Sequence, residues 1–434
     1  MSAYPEVDIE RLLRDERARR QPARRHPPRE AMKRSFSQID EGRYCLEIAD
    51  LATSLDVDRL RRERSELLGE LCVRCDLPGA HTVNGILSIA DFNLSSARAR
   101  KERAGFLADR ANAKDVDWVG ILEEFCQRVL HADRIGQPAV DLRTLPMPTA
   151  DDDLQVEGLG LYLLRRHPAI LFGDGGTVKS YLALHLAGRL AQRGSRVAVF
   201  DWELAGEDHR ARLKMMFGDD EPMIFYARCE RPLVYEVDRL RRIARDAALD
   251  FIIYDSVAFA CDGPPESAEV AGRYFRAVRQ IGGGSLHIAH ITKGENGDQK
   301  PFGSSFWHNG ARRTWFIQRV SGEGDVLTIG LFNRKSNLGR MRPPLGFKVT
   351  FTETATTFTR TDVAAVPEFA GQLSVRQRMA HLLKRGACSY EEIAEEVNAD
   401  LDTVKRTARR YKHVFTVIDG GRVGLLDHRR GGVE

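Results

Sequence analysis

Long apolar runs are missing from this chain. No stretch of its 434 residues approaches the roughly 18 uninterrupted apolar residues that a membrane span requires, and the opening MSAYPEVDIERLLRDE has no apolar signal segment. Membrane and secreted classes are thereby set aside, and a cytoplasmic protein is expected. Cysteine is scarce: seven residues, at 45, 72, 75, 126, 229, 261 and 388, form no disulfide framework and fit a reducing compartment. Cys72 and Cys75 make a CxxC, but no second pair follows at zinc spacing and the surrounding segment alternates as a strand does. An excess of one charge is lacking too, since 66 Lys and Arg against 62 Asp and Glu leave +4, too little to name a partner. No repeat at a solenoid or propeller period is evident.

What remains is a composition able to build real cores, 42% hydrophobic and 29% charged. At roughly 100 to 200 residues per domain, a chain of this length is expected to hold two to four domains. Residues 11–34 hold ten Arg and Lys against three acids, with Pro22, Pro27 and Pro28 breaking any long helix. A basic mobile arm over 1–35 follows, either a solvated tail or an arm that touches phosphates. Residues 36–145 run strands first and helices afterwards, which predicts a small α+β accessory domain. One helix starts near Ser95 or Ser96 and runs through Ala108. Another starts near Asp117 and keeps Val119, Leu122, Phe125, Val129 and Leu130 at helical spacing. Residues 146–154 and 353–370 are expected linkers. Between them, 155–352 alternates apolar runs with helical patterns, the mark of a parallel sheet covered on both faces, extended at its end by antiparallel strands. Residues 371–434 form a last unit.

The sharpest signal is Gly173, Asp174, Gly175, Gly176, Thr177, Val178, Lys179 and Ser180, followed by Tyr181, between the apolar strand AILF and the helix SYLALHLAGRL. A loop of this kind curls so that successive N–H groups face phosphates, while the new helix points its positive end at the same anion. ATP is the expected ligand, with Lys179 on the β and γ phosphates and the Ser180 hydroxyl on Mg²⁺. Val178 departs from the pattern, since glycine is usual there and a β-branched residue limits how the loop bends. Asp255, ending the strand FIIYD, is placed to hold the water shell of Mg²⁺. Asp201 and Glu203 follow the strand VAVF on a shared face, and Glu203 is the candidate base that orients the attacking water.

These residues, together with HIAHITKGENGDQKPFGSSFWHNGARRTWF, resemble the RecA-like P-loop ATPases of the RepA and DnaB helicase group, within the AAA family. The resemblance spans about 155–352. It implies a polar sensor of the γ phosphate at His290, and a basic pair, Arg334 and Lys335, reaching into a neighbouring subunit's nucleotide. It further implies a homo-oligomer, a ring such as a hexamer, and DNA-contacting or subunit-contacting loops near 294–305.

At the C-terminus, helical patterns and a final hairpin resemble a winged helix-turn-helix. Ser389 and Glu392 form a capping box, and Asp402 starts a helix in which Lys405, Arg406, Arg409, Arg410 and Lys412 concentrate. These cations and Arg422, on the wing after Asp419-Gly420-Gly421, are the candidate DNA contacts; docking on another protein is the competing reading. The whole is expected to be an oligomeric Mg²⁺-dependent ATPase acting on DNA, a RepA-like helicase or translocase. The alternatives are an ATP-regulated DNA-binding loader without unwinding activity, and a nucleotide-binding scaffold.

Overall fold

The computed structural model describes residues 33–40, 42–136, 139–147, 153–156, 159–291, 301–302, 305–321, 324–418 and 420–426. The expected arm lies outside these residues except for its last three, and β1 (Arg34–Asp40) begins within it. The chain divides into two compact units, Met1–Pro146 and Met147–Glu434.

In the first unit, β1, β2 (Arg43–Ile48), β3 (Thr53–Glu63), β4 (Glu66–Cys75) and β5 (Ile86–Asn93) form an antiparallel meander in sequence order. Side chains alternate, so Leu55, Val57, Leu71, Val73 and Cys75 fall into one core. That core is closed by α1 (Ala97–Ala111) and α2 (Trp118–Ile135), the latter contributing Ile121, Leu122, Phe125 and Val129. Both helices start where the caps predict: the Ser96 side chain accepts from the Ala99 N–H, and Asp117 from that of Gly120. Cys72 is half-buried on the opposite face from Cys75.

The second unit opens with a hairpin of β6 (Asp153–Val156) and β7 (Leu161–Leu164), so β6 begins inside the expected linker. There follow β8 (Pro168–Gly173), α3 (Lys179–Gln192), β9 (Val197–Asp201), α4 (Gly206–Phe217), β10 (Ile224–Arg228), α5 (Leu233–Asp246) and β11 (Phe251–Asp255). Next come α6 (Val257–Ala260), α7 (Ala268–Ile281), β12 (Gly284–His290), α8 (Ser305–Gly310), β13 (Arg313–Ser321), β14 (Val326–Ser336), β15 (Leu345–Phe351) and β16 (Thr356–Thr361). The strands form one nine-stranded sheet, ordered β10-β9-β11-β12-β8-β13-β14-β15-β16, parallel as far as β13 and antiparallel beyond it. This is the α/β architecture with a parallel core and an antiparallel extension that the sequence pattern implied.

Continuous apolar strands suit a sheet buried on both faces. Ile170, Phe172, Phe200, Ile252 and Tyr254 pack on one side with Leu240 of α5 and Tyr274 of α7. Leu171, Val197, Val199, Phe251 and Ile253 pack on the other with Leu182, Leu186 and Leu190 of α3. The parallel register brings strand ends together, with Asp255 opposite Asp201 and His290 opposite Gly173.

The stretch 353–370 is not a linker. β16 extends the sheet, and Phe369, within a 3₁₀ segment Pro367–Gln372, is fully buried with its ring 5.6 Å from that of Phe332. Its threonines and single proline look loop-like in sequence, but an edge strand with one solvated face tolerates that composition.

The chain ends with α9 (Val375–Leu382), α10 (Tyr390–Glu396), α11 (Leu401–Arg410) and a hairpin of β17 (Phe415–Ile418) and β18 (Arg422–Leu425). They surround Met379, Ile393, Val404, Phe415 and Val423. Capping boxes start α9 at Ser374 and α10 at Ser389, whereas α11 starts after Asp400, two residues before Asp402. Among the described residues no helix is long and apolar enough to cross a membrane.

Phe125 is fully buried in the first unit, so Phe125→Ala is expected to destabilise that unit by about 3–5 kcal/mol through the cavity it leaves. Hydrogen exchange read by peptide should quicken across β2–β5 and stay unchanged across β8–β13. Equal quickening in both sets would show that the units do not unfold separately.

Candidate nucleotide site

Strand β8, central in the sheet, delivers the loop to the carboxyl end of the parallel strands. Gly173 is required there, because a Cβ would sit 2.4 Å from the Ile317 carbonyl oxygen on neighbouring β13. Gly176 adopts φ +69° and Val178 φ +55°, the latter as N-cap of α3. A β-branched residue in the left-handed region is strained, by about 1–3 kcal/mol. The departure noted at Val178 therefore has a physical counterpart: the backbone takes a glycine's conformation without glycine.

The loop turns Lys179 inward until it is buried. Its ammonium donates to the carbonyls of Gly173 (3.0 Å) and Asp174 (2.6 Å) and to Thr177 Oγ1 (3.4 Å). Burial lowers its pKa to about 8, against the pull of Asp255, Asp174 and Glu203. Ser180, first turn of α3, hydrogen-bonds the buried Asp255. Burial raises the Asp255 pKa to about 6, the Ser180 bond opposing and the neighbouring Asp201 and Glu203 reinforcing it.

Asp201 and Glu203 do not act as a same-face pair, because β9 ends at Asp201. That carboxylate is fully buried, accepts from the backbone N–H of Glu203 (2.5 Å) and Leu204 (3.0 Å), and bonds His209. It shapes the turn that presents Glu203, whose own carboxylate accepts from the Ser256 hydroxyl. His290 ends β12 half-buried, its pKa lowered by burial and by Lys179, so the imidazole is kept neutral at neutral pH.

A cavity of about 270 Å³ joins these groups. It is lined by Gly176, Thr177, Val178, Lys179, Ser180 and Tyr181 from the loop, and by Glu203, Asp255 and His290 from three other strand ends. Gly173, Asp174 and Gly175 frame the loop without lining the cavity. Two arginines were not anticipated. Arg212, from α4, lines the cavity with its guanidinium 4.4 Å from the Tyr181 ring centroid, and its Nη1 is buried without a hydrogen-bond partner among the described residues. Arg319, from β13, donates to the Gly176 carbonyl (2.8 Å). Neither belongs to a spaced motif; both come from elements whose place depends on the folded sheet.

The basic pair, expected just after a strand, falls within the last residues of β14 and away from the cavity. Arg334 bonds Gln372 and covers the rings of Phe316 and Phe332 (5.4 and 5.7 Å), while Lys335 donates to the carbonyls of His308, Asn309 and Ala311 at the end of α8 (2.6, 3.2 and 2.9 Å). Most of the loop 294–305 lies outside the described residues. On α11 and just beyond it, Arg406, Arg409, Arg410 and Lys412 are exposed and Lys405 half-buried. Arg422 lies 3.5 Å from Glu392.

Among the described residues no cluster of three or more His, Cys, Asp and Glu is arranged to hold a metal by itself. A hydroxyl beside a single buried carboxylate nevertheless fits Mg²⁺, which keeps several waters and completes its shell with nucleotide phosphates. Ser180 and Asp255 are the residues that would hold it.

With this geometry in view, residues 148–296 match the family model described as AAA domain. Among solved structures, the chain is similar to one of an ATPase domain, at 12% identity and a TM-score of 0.37, over 46% of this chain and 86% of that one. No curated protein matches the chain. The segment matched by the family model holds the phosphate loop and the strand ends that bring Glu203, Asp255 and His290 to the cavity.

Two pH effects follow. Nucleotide phosphates favour the charged form of Lys179, which is largely neutral above its pKa of about 8. ATP binding at pH 8.5 is therefore expected to take up about three quarters of a proton, read by calorimetry in buffers of differing ionisation enthalpy; Lys179→Ala should abolish binding. Zero uptake with tight binding would remove Lys179 from the phosphates. Asp255 must be ionised to serve Mg²⁺, so Mg²⁺-dependent ATP affinity should fall as pH drops through about 6. Asp255→Asn should make affinity low at every pH, and an unchanged pH profile in that variant would remove Asp255 from the metal.

Proposed function

We propose that the protein is an oligomeric, Mg²⁺-dependent ATPase that acts on DNA as a RepA-like helicase or translocase. The observation that carries this reading is the convergence of Lys179, Ser180, Glu203, Asp255 and His290 on one cavity from the ends of four parallel strands. In such a site Lys179 exchanges its carbonyl partners for phosphate oxygens. Glu203, held by Ser256, accepts a proton from the in-line water. Neutral His290 offers a hydrogen bond toward the γ phosphate. Mg²⁺, when bound on Ser180 and Asp255, neutralises developing phosphate charge. The DNA assignment rests on the exposed cations of α11, with Arg422, and on reading α9 to β18 as a winged helix-turn-helix.

A second reading, an ATP-regulated DNA-binding loader without unwinding, is favoured by two observations. Val178 holds a strained conformation in the phosphate loop, and Arg334 and Lys335 are engaged inside their own chain. A finger role in trans requires those contacts to be exchanged when subunits assemble.

ATP hydrolysis measured with and without single-stranded and duplex DNA, over a range of protein concentrations, separates the two. A motor is expected to show DNA-stimulated turnover rising more than linearly with protein, lost in Glu203→Gln while ATP binding persists, together with strand separation on a forked duplex. Turnover that never separates strands supports the loader. Binding without turnover under any condition overturns the motor.

A further inference from the structure

The C-terminal helices and hairpin enclose a second cavity, of about 250 Å³, between α11 and β17–β18. Its floor is apolar, formed by the buried Phe415 and Val423, and one wall is Tyr390, the first residue of α10. Exposed Arg409 and Lys412 stand at its rim, and the Lys405 ammonium lies 6.0 Å from the centre of the Tyr390 ring. None of these three cations has a carboxylate within salt-bridge distance among the described residues. Glu392 of α10 is already engaged by Arg422 (3.5 Å) and by the Ser389 N–H (2.7 Å).

A helix that reads a duplex groove needs a convex basic face and has no use for a hole in it. An aromatic-walled hole ringed by unpaired cations instead matches an unstacked nucleotide, whose base has a π-face and whose phosphate is anionic. The volume lies below the roughly 300–1,000 Å³ of drug-sized sites, which suits one ring system. We propose that this cavity takes a nucleotide splayed from single-stranded nucleic acid, its base on Tyr390 and its phosphate between Arg409 and Lys412. This rests on the reading of the C-terminal unit as a nucleic-acid-binding module.

The test is fluorescence anisotropy of the full-length protein with labelled single-stranded DNA, single-stranded RNA and duplex DNA of one sequence, at several salt concentrations. Tyr390→Ala is expected to weaken single-strand binding roughly five- to a hundredfold, as loss of one base–aromatic stack implies. Its salt slope and its duplex affinity should stay as in the wild type, and Tyr390→Phe should restore single-strand binding. Val417→Asp, at an exposed position on the cavity wall, should also weaken single-strand binding without a folding defect. The double variant Arg409→Ala/Lys412→Ala should flatten the single-strand salt slope by about 0.7 for each lost phosphate contact. Comparison of the DNA and RNA arms tells which strand the cavity prefers. Unchanged single-strand affinity in both Tyr390→Ala and Val417→Asp, or an equal loss on duplex, overturns the cavity and returns α11 to groove reading. If the double variant changes no nucleic-acid binding at all, it is the module's nucleic-acid role that fails.

Discussion

A buried ammonium held by carbonyl oxygens, not by a carboxylate, is the interaction on which the rest of this molecule turns. Lys179 sits inside its own loop with Gly173, Asp174 and Thr177 as partners. Burying a charge is costly unless it is hydrogen-bonded, and these neutral acceptors satisfy it only in part, which is why its pKa is drawn down to about 8. An anion arriving at the loop supplies the missing countercharge. The sheet holds that ammonium in place: β8 lies between β12 and β13, and the absent side chain of Gly173 lets the Ile317 carbonyl close against it.

The loop is held from outside as well as from within. Arg319 ties the Gly176 carbonyl to β13, and Val178 carries a positive φ at the helix start. Strain of this kind persists only where its surroundings over-determine it. Here those surroundings are the Arg319 hydrogen bond on one side and, on the other, the apolar face of α3, whose cluster Val178 joins as a partly buried member. Nucleotide affinity and turnover need not move together under such a constraint, because a fixed loop favours binding while the transition state calls for small adjustments of the same N–H groups.

Much of this was legible in the sequence, and the reasons differ by element. The parallel sheet showed itself because strands buried on both faces read as unbroken apolar runs. Asp255 and Glu203 could be named because each lies at or just beyond the end of such a run, His290 through the family resemblance, and all three line the cavity. The helix starts at Ser96, Asp117 and Ser389 were readable because capping is local chemistry. Interactions set by tertiary register were not readable. Arg212 and Arg319 reach the loop from α4 and β13, elements distant in sequence, and nothing local marks them out from other arginines. Phe369 fails for the same reason: an isolated aromatic after Pro367 and Glu368 looks like part of a linker until Phe332 is placed against it.

The basic pair at the end of β14 raises a question of energetics. Lys335 caps the end of α8 with three carbonyl contacts, and Arg334 is half-buried over two phenylalanine rings with its pKa lowered by desolvation. Moving either cation to a neighbour's nucleotide gives up hydrogen bonds worth about 1.5–3 kcal/mol each for charged donors. Only a highly charged acceptor in a water-poor interface offsets that loss. Arg212, by contrast, already lines the cavity with one buried nitrogen unsatisfied, so engaging a nucleotide there breaks no recorded hydrogen bond at that nitrogen. On these grounds a nucleotide placed in the cavity would meet its first positive charge beyond the loop from its own chain. Under the proposed assembly, a cation from a second subunit would add to a site that its own chain has already charged.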